Sequence, residues 1–502
     1  MLSSIQPSRR TFLVGAGRFA AASAVAGAMP FSAAAEAVSR PIEASALKDL
    51  AGAVRGGVVL PDDPFFGDYA RPNNLRFGTL PTAIARCAGE ADVQACIAWV
   101  KKHGAAFAVR SGGHNYAGFS TTPGLLIDMT PMSSISLLPG GDGLVRIGGG
   151  VLNSMVYKAL ERLNRTITHG RCDTVGAAGF LLGGGIGFNM RWLGMASDLL
   201  HATGVVTADG ELRSDVRDGG ADSDLFWACR GGAGGNFGIN TSFTLQTVPV
   251  DTVSFFDVTW TADVEAVLHT LLTRLAEAPP EFGSKISVTR PPRGSGNPAL
   301  TVSILGQLHT CDTTVEAILG PVLETASTAT INKDMPYWPA QDLLSEFTYP
   351  YFYQEKSSYM KAADITPDAV AAMVRLARLM PGTSMGNSFK FFQVGGKVNV
   401  MPADATAYVH RGYDWLFSSE VNWWDRKDPK ALVDENLAWQ EQFYATVNEA
   451  TRAKGAFQNF PDPSLKDWST AYYGNNYSRL RQVKTAYDKS DLFTYRQGIK
   501  PL

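Results

Sequence analysis

Short apolar runs of strand length alternate with longer stretches of helical period over most of this chain. Apolar Val93, Cys96, Ile97 and Val100 recur at helical spacing and predict a helix over 92–103, while 107–109 and 125–128 read as buried strands. A turn and helix follow over 148–163, then a strand over 204–207 with its turn at Asp209-Gly210, and a strand over 243–248 that Pro249 ends. This pattern predicts a mixed α/β first lobe over residues 40–250. Beyond it, strands at 254–260, 300–308, 389–394 and 415–423 alternate with helices such as 367–379, as expected of a second lobe, 251–459, in which helices cover one side of a sheet.

The first 37 residues stand apart. Arg9 and Arg10 form a twin-arginine pair ahead of an Ala/Gly-rich apolar stretch and the small residues Ala33, Ala34 and Ala35, a pattern similar to a twin-arginine (Tat) export signal cleaved after Ala35 or Ala37. The stretch is too short and too weakly apolar for a membrane span. A periplasmic or extracellular location is expected, by a route that carries folded, cofactor-loaded proteins.

Composition narrows the partners. A formal net charge of -2 gives no basic surface for nucleic acid or anionic membrane, so a small-molecule substrate is expected. The five cysteines are an odd number without metal-ligand spacing, which argues against both a disulfide framework and a metal site.

The 50 glycines fall in runs, which implies close approach of backbone to a ligand. One block is Arg110-Ser111-Gly112-Gly113-His114-Asn115-Tyr116, where a strand enters a tight loop whose N–H groups can form an anion nest. The second runs from Gly170-Arg171-Cys172-Asp173-Thr174-Val175-Gly176 to Gly183-Gly184-Gly185-Ile186-Gly187, and the third from Gly231 to Ile239. Neither the dinucleotide G-x-G-x-x-G spacing nor a P-loop is present.

These three blocks in order resemble the FAD domain of the p-cresol methylhydroxylase and vanillyl-alcohol oxidase superfamily, and specifically its berberine bridge enzyme-like branch. The resemblance runs from about residue 75 to 250 and returns in the segment 460–502, whose Tyr472-Tyr473-Gly474-Asn475-Asn476-Tyr477 is similar to the closing motif of the family. It implies a two-lobed α+β fold: a p-cresol methylhydroxylase-type FAD domain, and a substrate domain with an antiparallel sheet under helices.

It also implies bicovalent FAD, linked to the 8α-methyl group by His114 and to C6 by Cys172. A neutral imidazole and a thiolate are suitable nucleophiles for an electron-poor ring. Ser111, Gly112, Gly113, Val175, Gly176, Gly179, Gly183, Gly184, Gly187 and Ile239 would serve the cofactor mainly through backbone, and Tyr472 and Asn476 match positions near its ring. Val175 stands where a small residue in this branch admits O2, so an oxidase is expected.

The pattern breaks at the base. Where many members place a tyrosine, this chain has Phe460 in Asn459-Phe460-Pro461-Asp462, and a second expected tyrosine is Phe392. The remaining catalytic candidates are Tyr116, Glu420 and Tyr472. The resulting expectation is oxidation of a C–OH group of a carbohydrate or similar secondary alcohol, with O2 as acceptor and hydrogen peroxide as product. The alternatives are oxidation or oxidative cyclisation of a polyketide or alkaloid, and a catalytically silent flavin-carrying binder.

Overall fold

A computed structural model of the chain describes residues 42–296, 299–346 and 348–502. The twin-arginine segment lies outside the described residues.

The first lobe opens with a small sheet in which Ala83–Arg86 and Phe107–Arg110 both run parallel to Leu125–Asp128. The crossover between them is the helix Glu90–His103, two residues longer at its start than the periodicity predicts. Glu90 and Asp92 sit in its first turn and Lys101, Lys102 and His103 in its last, each sign matching the local helix dipole. Gly104 ends the helix at φ +61°, a left-handed conformation that glycine adopts without strain. Val93, Cys96, Ile97 and Val100 are buried against Leu125 and Ile127. A second, antiparallel sheet follows, with Ile239–Gln246 between Leu144–Gly148 and Leu200–Val206.

The second lobe is a sheet of seven antiparallel strands among the described residues, in which Asn387–Gln393 lies between Phe282–Arg290 and Trp415–Trp423, and Phe352–Met360 pairs the far edge of the last. Strand alternation divides its residues sharply. Ile286, Val288, Phe389, Phe391, Phe417 and Val421 join one apolar core with residues of the helices Val264–Arg274, Pro367–Arg378 and Lys430–Ala450. Lys285, Lys390, Phe392, Ser418, Glu420 and Glu355 occupy the intervening positions and turn to the opposite face, toward the first lobe. The helix Tyr477–Tyr487 comes back to the first lobe, where the buried Lys484 ammonium donates to the carbonyls of Asn236 and Phe493 and pairs with Asp488.

Three histidines are packed neutral in the interior. Burial lowers His169 and His309 to about 4 and His410 to about 3, and each ring is held by hydrogen-bonding neighbours: Tyr337 on His169, Asn189 on His309 and the Tyr472 carbonyl on His410. Because the unfolded chain titrates near 6.5, it binds more protons than the folded one below that pH. Stability is therefore full above about 6.5 and drains away as pH falls toward 4, by on the order of 3 kcal/mol per histidine. A melting temperature followed from pH 7.5 down to 4.5 should fall steeply; an unchanged value would show that these rings protonate in place.

Candidate active site

Two loops of the first lobe cross beside the polar face of the second-lobe sheet. The loop after Phe107–Arg110 carries Ser111 to Tyr116, and the loop before the helix Ala177–Leu182 carries Cys172 to Gly176. They meet so closely that a Cβ on Gly112 would lie 2.2 Å from the Gly176 nitrogen and 2.6 Å from the Thr174 carbonyl oxygen. Here glycine is demanded by space. At this crossing Thr174 Oγ1 lies 2.8 Å from His114 Nε2, which leaves Nδ1 as the ring nitrogen without a hydrogen-bond partner among the described residues. Burial lowers His114 to about 4, so its imidazole is neutral at physiological pH.

Cys172 stands differently from the thiolate expected above. Burial pushes its thiol up to about 11, and Glu346 adds to this while Arg171, Lys390 and Lys285 oppose it. The bare thiol is protonated at neutral pH, and any bond formed by its sulfur requires that proton to leave first. Burial alone would also raise Glu346, but Arg171, Lys285 and Lys390 together hold its carboxyl well below the usual range; Arg171 and Lys285 both bond to it directly. The Arg171 guanidinium also lies over the Phe392 ring, 5.2 Å from its centroid.

Segments of the two lobes are stitched together at the site. Glu346 N donates to the Arg171 carbonyl, Tyr351 N to Asn73, Leu75 N to Tyr351, and Asn74 Nδ2 to Tyr353. This brings Tyr351 and Tyr353 beside Tyr116, whose ring stacks on Phe460 (centroids 5.2 Å apart, planes 4° apart) and meets Tyr353 edge-on. The Tyr116 hydroxyl has no hydrogen-bond partner among the described residues. Burial raises its phenol well above the ordinary value, with Glu355 and other neighbours adding to the shift, so Tyr116 is a hydrogen-bonding group and a poor proton acceptor. Glu420 accepts from the Tyr351 hydroxyl at 3.0 Å and pairs with Lys390.

The candidates named from the sequence thus divide. His114, Tyr116, Cys172, Ser111, Gly112, Gly113, Val175, Gly176 and Glu420 gather here. Gly179, Gly183, Gly184 and Gly187 continue along the helix and the loop after it, where Gly183 abuts the Asn459 side chain and Gly187 the His169 carbonyl. Ile239 is buried in the first-lobe core. Tyr472 is buried with its hydroxyl accepting from Asp462 N and donating to Gln497, and Asn476 donates to the carbonyls of Ala403 and Thr406, so both side chains are spent on holding the closing segment. Sequence reasoning missed Arg171, Lys285, Glu346, Glu355 and Lys390. Three of them carried a signal: Lys285, Glu355 and Lys390 are charges in the middle of strands, Lys390 directly between Phe389 and Phe391.

The residues fit an anionic dinucleotide such as FAD. The N–H groups of Gly112, Gly113, His114, Asn115 and Tyr116 have no acceptor among the described residues, and Ser111 Oγ and Arg110 Nη2 are buried without one.

Comparison with known proteins agrees. The "FAD binding domain" family matches residues 81–215, and "Berberine and berberine like" matches 456–500. The chain is 30% identical over 456 residues to an uncharacterized FAD-linked oxidoreductase, YgaK, of Bacillus subtilis, covering 89% of this chain and 97% of that one. It is 29% identical to the aclacinomycin-N/aclacinomycin-A oxidase of Streptomyces galilaeus, covering 79% and 81%. Among solved structures, the glucooligosaccharide oxidase of Acremonium strictum, described with a 6-S-cysteinyl, 8α-N1-histidyl FAD, superposes with a TM-score of 0.80 at 24% identity, over 91% and 99% of the two chains. Fold and site together define an FAD-dependent oxidoreductase. The chain belongs to the berberine bridge enzyme-like family of FAD-linked oxidoreductases, whose α+β architecture it shares.

Proposed function

We propose that this chain is an exported oxidase that removes two electrons from a C–OH group of a carbohydrate or similar secondary alcohol, with FAD held through both His114 and Cys172. When bound, FAD would supply the oxidant, accepting a hydride from the substrate carbon; with O2 as final acceptor, that hydride and the substrate's hydroxyl proton together give hydrogen peroxide.

The observation that carries the reading is the Tyr351–Glu420–Lys390 chain on the polar sheet face, beside the Cys172 loop. A carboxylate accepts a proton at neutral pH, which the buried phenol of Tyr116 does not. Glu420 is therefore assigned the substrate's hydroxyl proton, and Tyr116 a hydrogen bond that orients the substrate oxygen. Val175, half-buried three residues after Cys172, is small enough to leave O2 an approach.

A hydroxyl-rich substrate suits this site because Glu420, Lys390, Tyr116 and Tyr351 bring polar groups together. Close by, the exposed Tyr349 stacks on Trp424 (centroids 5.8 Å apart, planes 5° apart), a flat surface of the kind sugars pack on. The Tyr116–Phe460 stack favours a second reading, oxidation of a planar polyketide or alkaloid, in keeping with the aclacinomycin relative. Peroxide release measured across sugars, oligosaccharides and aromatic natural products separates the two. Peroxide from the sugars supports the first reading and from the aromatic ring systems alone the second; none from any would leave a flavin-carrying binder.

A further inference from the structure

The antiparallel register of Phe352–Met360 and Trp415–Trp423 sets Glu355 directly opposite Glu420, and both side chains are buried, at 4% and 5% exposure. Two like charges facing each other across a ladder repel, more strongly in a buried site than in water. Cations do not resolve the conflict evenly. Lys390 bonds to Glu420, whereas Arg171 and Lys285 are bonded to Glu346. The hydrogen-bond partner of Glu355 is the neutral Ser418 hydroxyl.

We propose that Glu355 is a positioning residue for Glu420: the two carboxyl groups share one proton, which Lys390 directs onto Glu355, and loss of that proton makes Glu420 the stronger acceptor. The inference rests on the assignment of Glu420 made above. Every charged or titratable group facing Glu355 fits this arrangement. Glu420 comes from the one strand that neighbours it and Lys390 from the strand beyond that, Arg171 from the Cys172 loop, Tyr351 and Tyr353 from the start of its own strand, and Tyr116 from the His114 loop. Burial, with repulsion from Glu420 added and attraction to Lys390 opposing, pushes Glu355 up to about 7. The proton balance is simple: in turnover the substrate hydroxyl proton goes to Glu420, while Glu355 exchanges only the shared proton with solvent.

At pH below neutrality Glu355 is protonated, and Lys390 is bonded to Glu420 alone of the two carboxyl groups. Above neutrality an ionised Glu355 faces Glu420 across the ladder and competes with it for Lys390. The rate of flavin reduction by substrate should therefore climb through about pH 7, by a few-fold to about tenfold. Glu355→Gln imitates the protonated acid and retains a partner for Ser418. It should give a flat profile at the low-pH level with an unchanged flavin spectrum, and Glu355→Asp should restore the inflection.

The test that stands apart from turnover is infrared difference spectroscopy of the holoenzyme on either side of neutral pH, in the wild type, Glu355→Gln and Glu355→Asp. A protonated-carboxyl band that disappears as pH rises, is missing from Glu355→Gln and returns in Glu355→Asp supports the pair. The same band persisting in Glu355→Gln, or no such band in the wild type, overturns it. If the bands behave as expected but no substrate reduces the flavin, the proton sharing stands and the assigned reaction falls.

Discussion

Replacing both His114 and Cys172 by alanine is expected to turn a flavin that stays with the acid-precipitated chain into one that remains wholly in the supernatant, while each single variant keeps it through the other link. The expectation follows from the loop crossing. His114 is neutral at physiological pH, and its Nε2 is engaged by Thr174, so Nδ1 is the nitrogen left to form a bond. Cys172 approaches from the other loop with Arg171, Lys285 and Lys390 nearby, charges that favour loss of its proton. The sulfur link should thus form more slowly at low pH than the histidine link, so that holoenzyme assembled in acid carries a larger fraction of single attachment. Flavin absorbance in the washed pellet measures both effects. Full retention in the double variant would mean that other residues hold the cofactor.

Glu420→Gln is expected to slow flavin reduction by substrate by about 10²–10⁴-fold, the usual contribution of a general base, and to leave the flavin spectrum intact. Tyr116→Phe removes a single hydrogen bond and should cost only about tenfold. Stopped-flow reduction under anaerobic conditions isolates this half of the reaction from the reaction with O2. The stability of Glu420→Gln is informative as well. Losing one partner of a buried ion pair ordinarily costs about 3–5 kcal/mol, yet here Glu355 lies across the strand and can ionise to take over Lys390. A small stability loss is therefore expected. A loss as large for Glu420→Gln as for Glu420→Gln combined with Glu355→Gln would show that Glu355 gives no such compensation.

Much of the fold was legible because its signals are local. The strand at Trp415–Trp423 and the helix after Thr366 lie at or within a residue of the positions predicted, since alternation, capping and flanking breakers are written in neighbouring residues. The glycine blocks pointed to loops that cross closely, because a glycine such as Gly112 is imposed by close approach of another backbone. What the sequence could not disclose is register. Glu355 and Glu420 are 65 positions apart, and nothing local sets them face to face; only the pairing of two strands does. The same applies to Glu346, which meets Arg171 through a short bridge between distant segments. Tyr472 illustrates the converse: its place in a motif suggested chemistry, while its hydroxyl is occupied with backbone and amide partners.

The backbone stitching of Glu346 to Arg171, and of Tyr351 to Asn73 and Leu75, has a mechanical consequence. A clamshell motion that parted the lobes would have to break those bonds at the very point where the cofactor loops need to stay in register. These bonds therefore tie the His114 and Cys172 loops to the polar face of the second-lobe sheet, and access that leaves them intact is expected.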